Sequence, residues 1–185
     1  FEGGTVDGLP AYTAADVERL AAAGHEVACH SIAHSRAPEV DPSDLDADYQ
    51  RNVSALGRML HHHANPYGEV SPRTKAVAGA RFTSVRGIVP GINQGDIDLA
   101  QLKAAPLERR SLDHAALERL IDQATAGPGW LIVFSHDVSH DPSPYGCTPD
   151  DLTRLIRTAR RAGLMVLPVG EAVAAVKGES LARAA

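Results

Sequence analysis

The sequence predicts an α/β domain with a mostly parallel sheet, open or curled into a barrel, and three observations point there. Short apolar runs alternate with amphipathic segments of helical spacing along the 185 residues. One run, Trp130-Leu131-Ile132-Val133-Phe134, is continuously apolar, as expected of a parallel strand covered on both faces. Chemically capable residues follow the predicted strands, at the rim where parallel α/β folds carry their chemistry.

The elements follow in order. Thr13 caps a helix from Ala14 to about Ala23, with Val17, Leu20 and Ala21 on one face and Gly24 as its left-handed stop. Glu26 to Cys29 reads as a short strand. Ser43 and Asp46 form a capping-box pattern, and Leu45, Tyr49, Val53, Leu56 and Leu60 continue a helix to about His61. A short strand is expected near Ala64. Ser71-Pro72 opens a helix to about Ala80, before a β-rich stretch from Phe82 to Ile88. Pro90 to Asp98 reads as a loop, Asp98 to Ala104 as a helical turn, Leu107 to Arg109 as a strand and Asp113 to Ala126 as a helix. After the apolar strand, Thr148-Pro149 begins a helix that stops at Gly163. Leu164 to Leu167 is the next strand, and Glu171 to Val176 the last helix.

Composition narrows the function classes. At 44% hydrophobic and 22% charged, the chain is not collagen-like, coiled-coil or disordered, and no apolar run approaches the ~20 residues of a membrane helix. Twenty-three acids against 18 bases give a net charge of -5, which argues against a nucleic-acid surface. Cys29 and Cys147 are too few for a disulfide framework, and the compartment stays open. Residues 1–185 read as a single domain. The chain opens at Phe1 without an initiator Met or a signal h-region, so it reads as processed or cut from something longer.

Three groups fall on one predicted rim. His30 and His34, in His30-Ser31-Ile32-Ala33-His34, could hold a divalent metal, or could be loop histidines bonded to backbone. Ser135-His136-Asp137 ends the apolar strand, where His136 is a general acid or base, a further ligand, or a strand cap. Pro66-Tyr67-Gly68 is a turn whose backbone N–H could face a developing oxyanion. His61-His62-His63 is treated as structural, at a helix C-terminus, and Cys29 as packing inward, opposite to His30.

Together these segments resemble the polysaccharide deacetylases of carbohydrate esterase family four. His30 to His34 looks like their second motif, Asn65-Pro66-Tyr67-Gly68 like the third and Phe134-Ser135-His136 like the last, in the same order. The resemblance implies a distorted (β/α) barrel and the removal of acetyl groups from N- or O-acetylated glycans. It implies His30 and His34 as ligands of a divalent metal, zinc foremost, with His136 as general acid. Pro66, Tyr67 and Gly68 would be substrate-binding, the Tyr67 amide serving as oxyanion donor.

Two departures accompany it. The family's first motif, Thr-Phe-Asp-Asp-Gly, which supplies the base and the third ligand, is not found, and Thr5-Val6-Asp7-Gly8 reads as a decoy in a Gly/Pro loop. The barrel is therefore expected to be incomplete at the N-terminus, with its base Asp upstream and its edge completed by those residues or by a second copy in a homodimer. In motif three, Ala64 stands where many relatives have an Arg that orients the base. For the Asp-and-Trp segment that tunes the acid His, Asp96 and Asp98 are the candidates, and Trp130 reads as core. The rival class is a catalytically inactive glycan-binding or structural version of the fold. A third reading is a different metallohydrolase using His61 to His63.

Overall fold

The structure, a computed structural model, describes residues 5–6, 9–10 and 12–178. Thr5–Val6 (β1) pairs antiparallel with Leu9–Pro10 (β2), where the sequence suggested a loop; Asp7 lies outside the described residues.

Among the described residues, five of the six α-helices start on an oxygen-bearing cap, the last opening after Pro168 instead. Helix α1, Ala14–Ala22, opens on a reciprocal Thr13–Asp16 box and is followed by Gly24 at φ 85°. Helix α2, Pro42–Leu56, is capped by Asp41 rather than by Ser43. Pro42 fills the first helical position, so the capping oxygen must come from the residue before it. The helix ends at Leu56 rather than near His61, because Gly57 turns left-handed at φ 62°.

The chain then enters His62–Ala64 (β3), so the His61–His63 run leads into a buried strand and not a helix terminus. Ser71 and Thr74 box the start of α3, Pro72–Arg81, which leads to Ser84–Arg86 (β4). Asn93–Gln94 (β5) interrupts the expected loop, and Ala105–Pro106 (β6) lies two residues earlier than the strand expected at Leu107. Asp113 caps α4, His114–Thr125.

The apolar run divides. Gly129–Trp130 (β7) pairs antiparallel with β5, while Val133–Phe134 (β8) runs parallel to β6. A continuous apolar pattern records burial and is blind to a change of partner partway along. Thr148 boxes α5, Pro149–Arg161, and Val169–Val176 forms α6.

Two expected strands are thinner than predicted. Of Glu26 to Cys29, only Cys29 makes a bridge, parallel to His63. Leu164 to Leu167 forms no ladder among the described residues, and Met165 is 68% exposed. That segment borders an apolar groove of about 520 Å3 shared with Trp130, Ile132, Ile156 and Ala172.

What positions the site is a wall of parallel staves in chain order. Cys29 bonds β3, which pairs with β4 in the register His62↔Ser84, His63↔Val85 and Ala64↔Arg86. On its far side β4 bonds Leu102, and the run from Leu102 to Leu107 bonds β8 through Ala105 to Ile132 and Leu107 to Phe134. Each crossover returns the chain beside the stave just made, so all the carboxyl ends share one rim. Cys29, Leu45, Tyr49, Leu60, Phe82 and Val85 form the core between this wall and its first helices. Ala105, Leu107, Leu117 and Cys147 form a second cluster under α4 and α5.

Candidate functional site

His30 leaves the wall directly after Cys29, which is buried and points to the core. Strand alternation therefore sends the imidazole outward. Its Nδ1 donates to the Ala64 carbonyl at 2.7 Å, which fixes the tautomer and leaves the Nε2 lone pair free. The protein packed around the ring, together with the nearby charges of His34, Arg86 and His136, holds its pKa below the ordinary histidine value.

The loop that brings His34 back to His30 is strained and braced. Ser31 and His34 have φ of 64° and 51°, a region non-glycine residues rarely occupy. Asp48, buried on α2, accepts from Ile32 N and Ala33 N at 3.0 Å each, and the Ser31 hydroxyl accepts from His34 N at 2.8 Å. The result is a pair of imidazoles with centroids 4.9 Å apart and planes at 76°.

Tyr67 closes the other side. Its ring lies 4.8 Å from that of His34, and its backbone is also left-handed, at φ 57°. The Asn65 carbonyl accepts from Gly68 N at 2.9 Å to pin the turn. Gly68 is required there: at φ 67°, a Cβ would lie 2.3 Å from Ile88 Cγ1. All three non-glycine residues with positive φ among the described residues fall in this site, where strain is held in place by its surroundings.

His136 stands at the exit of β8 with its side chain 55% exposed. Its Nδ1 faces the Tyr145 carbonyl at 3.3 Å and Glu108 Oε1 at 3.4 Å. Asp137, its neighbour in sequence, instead accepts from the Ser143 amide and hydroxyl; those bonds hold its carboxyl below the usual range. The carboxylate behind His136 is thus Glu108, 2% exposed and also paired with Arg110 Nε at 2.8 Å.

Glu108 was not among the sequence candidates. Its signal was a charged residue directly after the apolar Ala104 to Leu107. Asp96 is exposed and Asp98 pairs with Lys75, so neither serves as His136's partner. Asp48 was likewise missed, although it lies in the buried stripe with Leu45 and Tyr49, where a carboxylate is out of place unless it is bonded. His62 and His63 point into the structure: His62 Nδ1 meets Ser84 Oγ at 2.8 Å, and His63 stacks on Phe82.

The imidazole pair fits half of a zinc-type ligand set, with Nε2 of His30 open and its other nitrogen held by a carbonyl. Among the described residues no group of three His, Cys, Asp or Glu converges as a metal site. A metal held by this pair would need its further ligands from elsewhere.

Residues 6–83 match the family described as polysaccharide deacetylase. That match spans a little under half of the chain. The deacetylase fold extends well beyond it. The Xyl-CE4 domain of a multidomain xylanase from the hindgut metagenome of Trinervitermes trinervoides aligns at TM-score 0.56 and 15% identity, over 91% of this chain and 72% of its own. A mutant of BA3943, a CE4 family pseudoenzyme, aligns at TM-score 0.52 and 14% identity, over 86% and 52%. The deacetylase domain of BpsB from Bordetella bronchiseptica aligns at TM-score 0.47 and 22% identity, over 54% and 50%. The chain spans about a third to a half of the first solved structures it matches. No curated protein matches it. The fold is the distorted (β/α) barrel of the deacetylases, and the parallel wall is its described part.

Proposed function

We propose that this protein is a metal-dependent hydrolase that removes acetyl groups from N- or O-acetylated glycans. The observation that carries the reading is the convergence of His30, His34, Tyr67 and the Glu108-backed His136 on one rim. His30 and His34 would hold the metal, zinc by the chemistry of an imidazole pair, with a carboxylate from outside the described residues. When bound, such a metal polarises the acetyl carbonyl and lowers the pKa of its water towards ~7.

The chain's own groups supply the rest. The Tyr67 N–H is offered to the carbonyl oxygen as negative charge grows on it. His136, with Nδ1 turned to Glu108 and the Tyr145 carbonyl, presents Nε2 as the acid that protonates the leaving group. An amide substrate needs that proton more than an ester does, because its amine leaves poorly. The base is expected to be an Asp upstream of the described rim.

Replacing His30 or His34 by Ala abolishes zinc uptake by the full-length protein, measured by calorimetry. His136→Ala keeps the metal but slows acetate release by about a hundredfold or more. Undiminished turnover in the His136 variant removes it from the mechanism. The second reading, an inactive glycan-binding member of the fold, is favoured by the lack of a third ligand among the described residues. Glycan binding without metal uptake or acetate release by the full-length protein would establish it.

A further inference from the structure

The rim holds an aromatic ring that core packing does not explain. Tyr145 lies in the loop between β8 and α5, 46% exposed, and belongs to none of the three apolar clusters of the described residues. A large ring held at the surface forgoes the burial it would gain inside, so a fixed position there points to a use. The position is fixed. Arg110 lays its guanidinium carbon 4.1 Å from the ring centroid and backs one face. The loop is sewn to the residues after Glu108: Arg109 N donates to the Gly146 carbonyl at 2.7 Å and Arg110 N to that of Pro144 at 2.9 Å. Tyr145 N itself donates to Ser143 Oγ at 3.2 Å. A Cβ on the neighbouring Gly146 would lie 2.3 Å from Asp137 Oδ1, so the loop closes without slack.

The ring is also tied to the proposed acid. Its centroid is 5.5 Å from that of His136, with the planes at 60°, and the His136 amide donates to the Tyr145 carbonyl at 3.2 Å. Arg110, under the ring, bonds Glu108 Oε2 through Nε, and Glu108 Oε1 faces His136 Nδ1. One arginine thus sets both the carboxylate behind His136 and the ring beside it. With Nδ1 turned inward, a sugar that takes its proton from His136 lies off Nε2, and 5.5 Å is close to the step from one pyranose of a chain to the next. Beside His34, Tyr67 repeats the arrangement, a half-exposed ring under Arg36 at 4.8 Å, with Arg36 held by Glu69. Three stave-to-stave steps of about 4.8 Å each separate the exits of β3 and β8, more than a single sugar ring can bridge.

We infer that Tyr145 is a sugar-stacking platform of this site, and that the substrate is a chain of β-linked pyranoses whose ring next to the acetylated one lies on Tyr145. This rests on the glycan reading above. The axial C–H bonds on the face of an equatorially substituted pyranose are weakly positive and fit the negative face of an aromatic ring. Equatorial links keep successive rings extended, so that one can stack while its neighbour presents its acetyl group to the histidines.

The test titrates the full-length protein, Tyr145→Ala and Tyr145→Phe with the tetramer of β-1,4-linked N-acetylglucosamine and with its monomer by calorimetry, and follows acetate release from both. The wild type binds the tetramer about tenfold more tightly than the monomer. That ratio falls about fivefold in Tyr145→Ala and is kept in Tyr145→Phe, which has the ring without the hydroxyl. Equal binding of the two sugars by the wild type, or binding of neither, overturns the inference. So does a preference that survives in Tyr145→Ala, or one lost in Tyr145→Phe as fully as in Tyr145→Ala. Should Tyr145→Ala fail to fold, Tyr145→Leu, apolar but without a π face, takes its place, and an undiminished preference in it overturns the inference. A preference that depends on Tyr145 without acetate release from either sugar overturns the hydrolase reading alone and leaves Tyr145 in its role.

Discussion

Two amides of the histidine loop, Ile32 N and Ala33 N, end on the carboxylate of Asp48, which α2 delivers from below. Those bonds hold a backbone that passes through two unfavourable left-handed residues, and so they set where His34 stands. Asp48→Ala leaves both amides without their acceptor. With His34 as the proposed ligand, it should weaken zinc binding by about 10–100-fold, the usual cost of losing an outer partner of a metal ligand. It should also destabilise the fold by about 2–4 kcal/mol through the lost charge-assisted bonds. Zinc titration and urea unfolding of the same variant give the two numbers, and intact affinity in a folded variant would separate Asp48 from the site. Glu108→Gln acts on the other half. His136, the proposed acid, loses the charge behind its Nδ1, so kcat for acetate release should fall about tenfold or more with KM little changed. An effect confined to KM would instead make Glu108 a substrate contact.

At the scale of elements, the tightest constraint is the turn from Pro66 to Gly68, where Tyr67 and Gly68 are left-handed in succession. Gly68→Ala meets Ile88 at 2.3 Å and forces an unfavourable dihedral, with an expected loss of about 1–3 kcal/mol and weaker substrate binding through a displaced Tyr67. Adding Ile88→Ala removes the 2.3 Å contact but keeps a Cβ at 2.9 Å and leaves the dihedral unrelieved, so thermal unfolding of the pair should recover only part of the loss; full recovery would show that the 2.3 Å contact alone required the glycine. The helices were legible because their signals are local: Thr13, Ser71 and Thr148 mark helix starts in the sequence and cap them in the structure. The strands were less so. Ladders of two or three residues carry too little alternation to fix a register, and so β6 falls two residues early and the run at Trp130 divides between two partners. The rim histidines and Tyr67 could be read because each follows a strand or an expected strand. Glu108 and Asp48 could not be assigned, because their contacts join staves and helices far apart in sequence.

At the scale of the molecule, the wall places one histidine where charge cannot follow. His63 lies in the middle of β3, 3% exposed, stacked on Phe82 at 4.9 Å and edge-on to Tyr49 at 4.7 Å, with neither ring nitrogen hydrogen-bonded among the described residues. Burial drives its pKa from 6.5 down to about 3. In the unfolded chain the same ring takes a proton near pH 6.5, so below that pH the unfolded state binds more protons than the folded one. The contribution of His63 to stability is therefore fully present above pH 6.5 and is lost as pH falls towards 3, with a slope of up to about 1.4 kcal/mol per pH unit. His63→Leu removes the titration and the two unpaired nitrogens while keeping an apolar side chain between Tyr49 and Phe82. Between pH 7 and pH 4 the variant should lose about 3 kcal/mol less than the wild type, read from urea unfolding of metal-free protein at each pH. Parallel curves for the two proteins would mean that His63 finds a proton or a hydrogen-bond partner inside the fold, and that the core of the wall is wetter than its packing implies.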